Sequence, residues 1–209
     1  MKIDTKAEKI VNILEELYPD PDIPLIHKDP YTLLVAVMLS AQTTDKKVNQ
    51  VTPKLFNLAD SPQKMAGLEV EEIQDAIREV GLAPTKSKNL HKMAKQLLTI
   101  FNGIVPNNLE SLETLAGVGH KTASVVIIQA FGGVAFPVDT HIHRLAERWG
   151  ISDGSSVVRT EKDLKQIFNK SLWSKLHLQI IYFGREHCPA RNHNLNECII
   201  CSWAASKKN

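Results

Sequence analysis

The sequence predicts an all-α protein. Three observations carry that prediction: apolar residues recur at intervals of three and four along nearly the whole chain, no stretch alternates with period two between hairpin turns, and Pro, Gly or short polar caps punctuate the periodic segments. The 209 residues are 43% hydrophobic and 23% charged, close to the globular average and far from disordered, collagen-like or low-complexity chains. A chain of this length buries roughly 70% of its unfolded surface, enough for one large or two small domains.

The first helix is expected over 5–18 and the second over 30–42, where Pro30 suits a first-turn position. The second is apolar without a break from Leu33 to Leu39, which places it buried on all sides at the centre of a domain. Helices over 45–57 and 69–80 follow, the latter acid-rich, and then a basic one over 85–102 that carries Lys86, Lys88, Lys92 and Lys95. Taken by itself, that acid-then-base pattern describes two solvated helices. A short helix over 109–115 has Asn107 and Glu110 as a capping box, and 120–131 and 140–149 come next. The last two cover 160–168, with Thr160 and Asp163 as a weaker box, and 171–185. Pro62 also suits a first turn, and Gly81, Gly103, Gly132 and Gly150 suit helix ends.

No linker marks a clean boundary, so a two-domain division must be discontinuous or tightly packed. The apolar run Leu33–Leu39 falls well short of the ~20 residues a membrane span needs, and Met1 to Glu8 alternates charge instead of opening an apolar signal region. The expectation is a cytoplasmic, unprocessed protein with no membrane partner. A net charge of +2 gives bulk electrostatics no strong case for nucleic acid. The 3 cysteines all lie between Cys188 and Cys201. Such a cluster is no secreted disulfide framework but a local metal or thiol site, or its remnant.

The chemistry concentrates in Leu115-Ala116-Gly117-Val118-Gly119-His120-Lys121-Thr122-Ala123, which joins two predicted helices through a turn with two glycines. Outward amides beside a helix N-terminus bind anions and read phosphate rather than sequence; an ordinary tight turn is the alternative. Lys121 sits in the first turn of the following helix. If desolvated at the positive end of the helix dipole it is pushed toward the neutral, nucleophilic amine; otherwise it is a surface phosphate contact. Asp139 can accept protons or stabilise a nearby cation, or simply cap the helix that starts at Thr140.

Residues 115–123, together with Phe136-Pro137-Val138-Asp139-Thr140-His141-Ile142-His143-Arg144 and Leu39-Ser40-Ala41-Gln42-Thr43-Thr44-Asp45, resemble the helix-hairpin-helix DNA glycosylases, and within them the endonuclease III type. The resemblance runs from about residue 5 to residue 201. It implies a six-helix domain over 22–132, with the helix-hairpin-helix near 109–131, a second domain of 1–21 plus 133–209, and an active site in the cleft between them. It implies a bifunctional enzyme on duplex DNA, removing oxidised or damaged pyrimidines and cleaving the abasic site. Lys121 would be the nucleophile that forms a Schiff base and Asp139 its supporting carboxylate. Gln42 would fill the space left by the extruded nucleotide and Leu82 wedge into the opposite strand, while Gly117, Gly119 and Thr122 hold the DNA backbone. Asp45 and His141 are candidate base contacts.

Mismatch adenine glycosylases resemble the chain less, since they usually lack a lysine at the position of Lys121. A monofunctional glycosylase and a non-enzymatic DNA-binding module remain alternatives, as does a zinc-stapled protein-interaction domain. Ala83-Pro84-Thr85 replaces a tyrosine-containing stretch of the family, and Ala116 stands where proline is common. A monomer is the default expectation.

The family typically ends in Cys-x6-Cys-x2-Cys-x5-Cys around a [4Fe–4S] cluster. Counted from Cys188, those positions fall on Leu195, Cys198 and Ala204. The expectation is therefore that no conventional cluster is present, that no cofactor is needed for the chemistry, and that Cys188, His193, Cys198 and Cys201 offer a structural zinc set or a metal-free remnant.

Overall fold

The computed structural model of the chain describes residues 2–205, and every regular element among them is helical. The chain divides into two compact units, one of Pro24–Gly133 and one formed by Met1–Ile23 with Val134–Asn209.

The continuous unit is built around α2 (Pro30–Ser40), whose residues Tyr31 to Leu39 are all buried. Asp29 starts it with a capping box: its carboxylate accepts from the Thr32 amide, and Pro30 occupies the first turn. Around α2 pack α3 (Asp45–Leu58), α6 (Ala83–Phe101) and α8 (His120–Ala130). Three short helices complete the unit: α4 (Pro62–Gly67), α5 (Val70–Ala76) and α7 (Leu109–Glu113). Periodicity gave no sign of α4, whose six residues are too few to show a helical repeat, although Pro62 does hold its first turn under a Ser61 cap. Asn108, not Asn107, caps α7 by accepting from the Ser111 amide.

The discontinuous unit holds α1 (Ile3–Leu17), α9 (Thr140–Arg148), α10 (Val157–Ile167), α11 (Trp173–Glu186) and the short α12 (Cys201–Ala204). Its core gathers Ile10 and Leu14 from α1, Phe136, Trp149 and Phe183, with Trp149 meeting Phe183 edge-on at 5.7 Å between ring centres. Lys6 ties the first helix to distant chain, its Nζ donating to Trp149 O at 2.8 Å and to Ala204 O at 3.0 Å. Helix α10 begins earlier than its expected box: Ser156 is the cap, and Thr160 and Asp163 are buried inside the helix. Their polar groups are satisfied laterally instead, Asp163 accepting from Ser152 Oγ at 2.8 Å and Thr160 Oγ1 pairing with His143 Nδ1 at 2.9 Å.

Candidate active site and metal centre

The hairpin between α7 and α8 is pinned from α6. Gln96 accepts from the Ala116 amide at 2.7 Å and donates to Thr114 O at 3.1 Å. Gly117 has φ 77°, and a Cβ there would lie 2.8 Å from Asn89 Nδ2, so both backbone angle and neighbour demand glycine. Gly119 is different: its backbone is extended and a Cβ would meet nothing within 4 Å. It caps α8 without a side chain, which leaves the positive end of that helix dipole open on the side where Lys121 is exposed and Thr122 half-buried. Next to them His120 Nδ1 pairs with Glu113 Oε1 at 2.7 Å.

In the same unit, two exposed turns carry the candidate inserting residues. Gln42 follows α2 with φ 55°, and Leu82 precedes α6 with φ 62°. Non-glycine residues rarely hold left-handed backbone, and doing so costs on the order of 1 kcal/mol each. The turns are joined, because Gly81 N donates to Thr43 Oγ1 at 3.3 Å. Asp45 opens α3, one residue after the Thr44 cap.

Asp139 and His141 belong to the discontinuous unit. Asp139 is half-buried and caps α9, Oδ1 accepting from the Ile142 amide at 2.9 Å. That is its structural role, and it occupies one carboxylate oxygen. His141 packs where Gly184 lets α11 approach, a Cβ at Gly184 falling 3.2 Å from His141 Cβ. Burial holds its imidazole below the ordinary histidine range; Asp139 opposes that effect, and Arg144 and Arg185 reinforce it.

The ligand atoms of Cys188, His193, Cys198 and Cys201 all lie within 4.8 Å of one another. Cys188 Sγ is 3.4 Å from His193 Nε2 and 3.6 Å from Cys201 Sγ. Hydrogen bonds from Cys201 and from Arg148, whose Nη1 sits 3.2 Å away, favour the Cys188 thiolate and hold its pKa below the ordinary thiol range. Arg144 adds support by donating to the carbonyls of Gly184 and Cys188 at 3.1 Å and 3.0 Å. Three buried thiols and a half-buried imidazole, brought this close together, fit a thiolate-ligated metal group.

Lys86, expected from the sequence to lie on a solvated basic face, is instead buried against the turn that carries Gln42. It is only 7% exposed. A signal was available: Lys86 falls three after Ala83 and four before Leu90, on the stripe that α6 buries.

Comparison with known proteins gives consistent results. Residues 35–170 match the HhH-GPD superfamily of base excision DNA repair proteins. The chain is 40% identical over 198 residues to endonuclease III of Bacillus subtilis (strain 168), covering 94% of this chain and 90% of that relative. Among solved structures, a trapped endonuclease III–DNA covalent intermediate, an estranged-adenine complex, matches with a TM-score of 0.91 at 38% identity, covering 96% of this chain and 94% of that one. A non-covalent endonuclease III–DNA complex matches with a TM-score of 0.93 at 37% identity, covering 98% and 96%.

These likenesses, with the gathered ligand set, correct the expectation for the C-terminal cysteines. Fixed spacing from Cys188 pointed to Leu195 and Ala204 and left Cys201 out of register. The chain between Cys188 and Cys198 instead passes through Asn192 with left-handed backbone, at φ 54°, and both His193 and Cys201 come beside Cys188. The assembled set is consistent with the [4Fe–4S] cluster typical of endonuclease III, and the expectation of an absent cluster, with zinc or a remnant in its place, does not stand.

Proposed function

Because the chain belongs to the HhH-GPD superfamily of base excision DNA repair proteins, and within it to the endonuclease III family, we infer that it excises oxidised or otherwise damaged pyrimidines from duplex DNA and then cuts the abasic site. It is a bifunctional DNA glycosylase and abasic-site lyase, and double-stranded DNA is its partner. No helix among the described residues is long and apolar enough to cross a membrane. The reading places the enzyme in the cytoplasm, beside its DNA substrate.

The observation that carries the mechanism is Lys121, exposed in the first turn of α8 directly after the glycine hairpin, in a chain similar to a trapped covalent endonuclease III–DNA intermediate. The neutral Nζ attacks C1′ of the damaged nucleotide, the C1′–N bond breaks, and the base leaves with that electron pair and takes up a proton. The C1′–O4′ bond then breaks as one amine proton passes to O4′, and the nitrogen lone pair closes a protonated imine (an iminium that keeps one N–H) between Nζ and C1′. The iminium makes the C2′ proton acidic; its removal expels the 3′ phosphate by β-elimination, and water releases Lys121. The Asp139 carboxylate offsets the positive charge that develops at C1′. Gly117, Gly119 and Thr122 hold the DNA backbone at the start of α8, Gln42 and Leu82 fill and wedge the stack from which the nucleotide is extruded, and Asp45 and His141 contact the base. Cys188, His193, Cys198 and Cys201 would hold the cluster, which when bound staples the C-terminal segment to the Trp149–Phe183 core.

Borohydride trapping on duplex DNA carrying thymine glycol, with an abasic-site duplex and a Lys121→Gln control, tests the assignment. A covalent adduct that requires Lys121 is expected on both duplexes. No adduct on either, from folded protein, removes the lyase step and leaves a monofunctional glycosylase or a binding module.

A further inference from the structure

Lys86 carries an ammonium into the interior of the continuous unit, and all three of its hydrogens have acceptors there. Nζ donates to Leu39 O at 2.8 Å, to Ala41 O at 2.6 Å and to Thr43 Oγ1 at 3.1 Å. All three acceptors are neutral oxygens, and burial lowers the lysine pKa. A desolvated cation on neutral acceptors is an expensive way to finish a helix when a glycine or a water would serve.

What the arrangement fixes is the turn that follows α2. The two carbonyls flank Ser40 and Ala41, directly before Gln42 with its left-handed backbone at φ 55°. Thr43, the third acceptor, also accepts from Gly81 N, and a Cβ on Gly81 would approach Gln42 O to 3.2 Å. The next residue is Leu82, also left-handed, at φ 62° and 53% exposed. One ammonium thus sits at the junction of two strained turns, each presenting an exposed side chain.

We propose that Lys86 is a positioning residue for base extrusion: its ammonium, through the Leu39 and Ala41 carbonyls and the Thr43 hydroxyl, holds Gln42 and Leu82 together in the conformation that enters the DNA stack. The inference rests on the reading of Gln42 and Leu82 as inserting residues. Lys86 is buried with its ammonium spent on these three protein oxygens, so its effect belongs to the extrusion of a stacked nucleotide and not to the lysine chemistry that follows.

Single-turnover rates on two duplexes, one with thymine glycol opposite adenine and one with a preformed abasic site, separate the possibilities. Lys86→Met is expected to slow the paired lesion about tenfold or more and the abasic site, which has no base to unstack, less than about threefold. In a Gln42→Ala/Leu82→Ala background the same substitution is expected to cost no more than about twofold, because the residues it positions are gone. A merely structural lysine would lower both substrates alike and by the same factor in either background; either result overturns the proposal. Thr43→Val keeps the ammonium and its two carbonyl bonds but cuts the link to Gly81, so it decides the matter should Lys86→Met fail to fold: selective slowing of the paired lesion supports the proposal, and unchanged rates on both duplexes overturn it. Wild-type excision by the Gln42→Ala/Leu82→Ala protein would instead show that the inserting residues were misassigned, a failure of the underlying reading that this variant alone reports.

Discussion

Leu82 stands with 53% of its surface exposed on a left-handed backbone, a combination that stability alone does not favour. Leu82→Gly is expected to hold or raise thermal stability, by up to about 1 kcal/mol, since glycine adopts that backbone without the steric cost. It should nevertheless slow excision of a paired lesion; a thermal melt and a single-turnover assay on the same preparation check both halves. Asp139 allows a similar separation of roles. Its Oδ1 caps α9, and asparagine caps as well as aspartate, so Asp139→Asn should leave the melting temperature nearly unchanged while turnover drops by about 100-fold or more with DNA binding retained. Asp139→Ala should add a loss of about 1 kcal/mol in stability. Both readings of Asp139 were available from the sequence, a cap before Thr140 and a carboxylate for catalysis, and its single structural bond leaves the second oxygen for the first to coexist with the second. Lys86 was legible only to a reader who laid α6 on a wheel, because composition files any lysine with the surface.

At the scale of elements, the two glycines of the hairpin look alike in sequence and differ in the structure. Gly117→Ala would force a Cβ against Asn89 at a positive φ, and a loss of about 1–3 kcal/mol in unfolding free energy is expected. Gly119→Ala meets open space and an ordinary backbone angle, so its stability should stay within about 0.5 kcal/mol of the parent. Its DNA affinity should fall, since the added methyl stands where a phosphate must approach; denaturant melts and a binding titration distinguish the pair. The longer elements were readable: α6 and α11 declare themselves by apolar spacing and α2 by its unbroken apolar run, and the caps and glycines placed most helix ends. The short α4 and α12 were not, since four or six residues cannot display a period and owe their form to what they pack against. Helix α10 was begun too late because a Thr160–Asp163 pair can either cap a helix or be buried within one, and only the neighbouring Ser152 and His143 decide between them.

Over the whole molecule, the hardest feature to read was the metal centre, because ligands are gathered by folding and spacing only approximates that. Cys188, Cys198 and Cys201 lie in the same core cluster as Trp149 and Phe183, so a metal group held there would be tied to the stability of the unit. Cys198→Ser is expected to lower bound iron and visible absorbance and to reduce the melting temperature, with iron analysis and a thermal melt as the checks. The two bonds from Lys6, to Trp149 O and to Ala204 O, bear on how the protein is made. As the ribosome delivers the chain, Pro24–Gly133 is complete and able to collapse while α1, already synthesised, still lacks every helix it packs on. Helix α1 must wait, an amphipathic segment with no partner, until α11 and the segment around Ala204 emerge. Protease pulses on stalled nascent chains should therefore find the interior of the continuous unit protected first and α1 cut readily until release. Helix α1 would then be among the last elements to reach its native place.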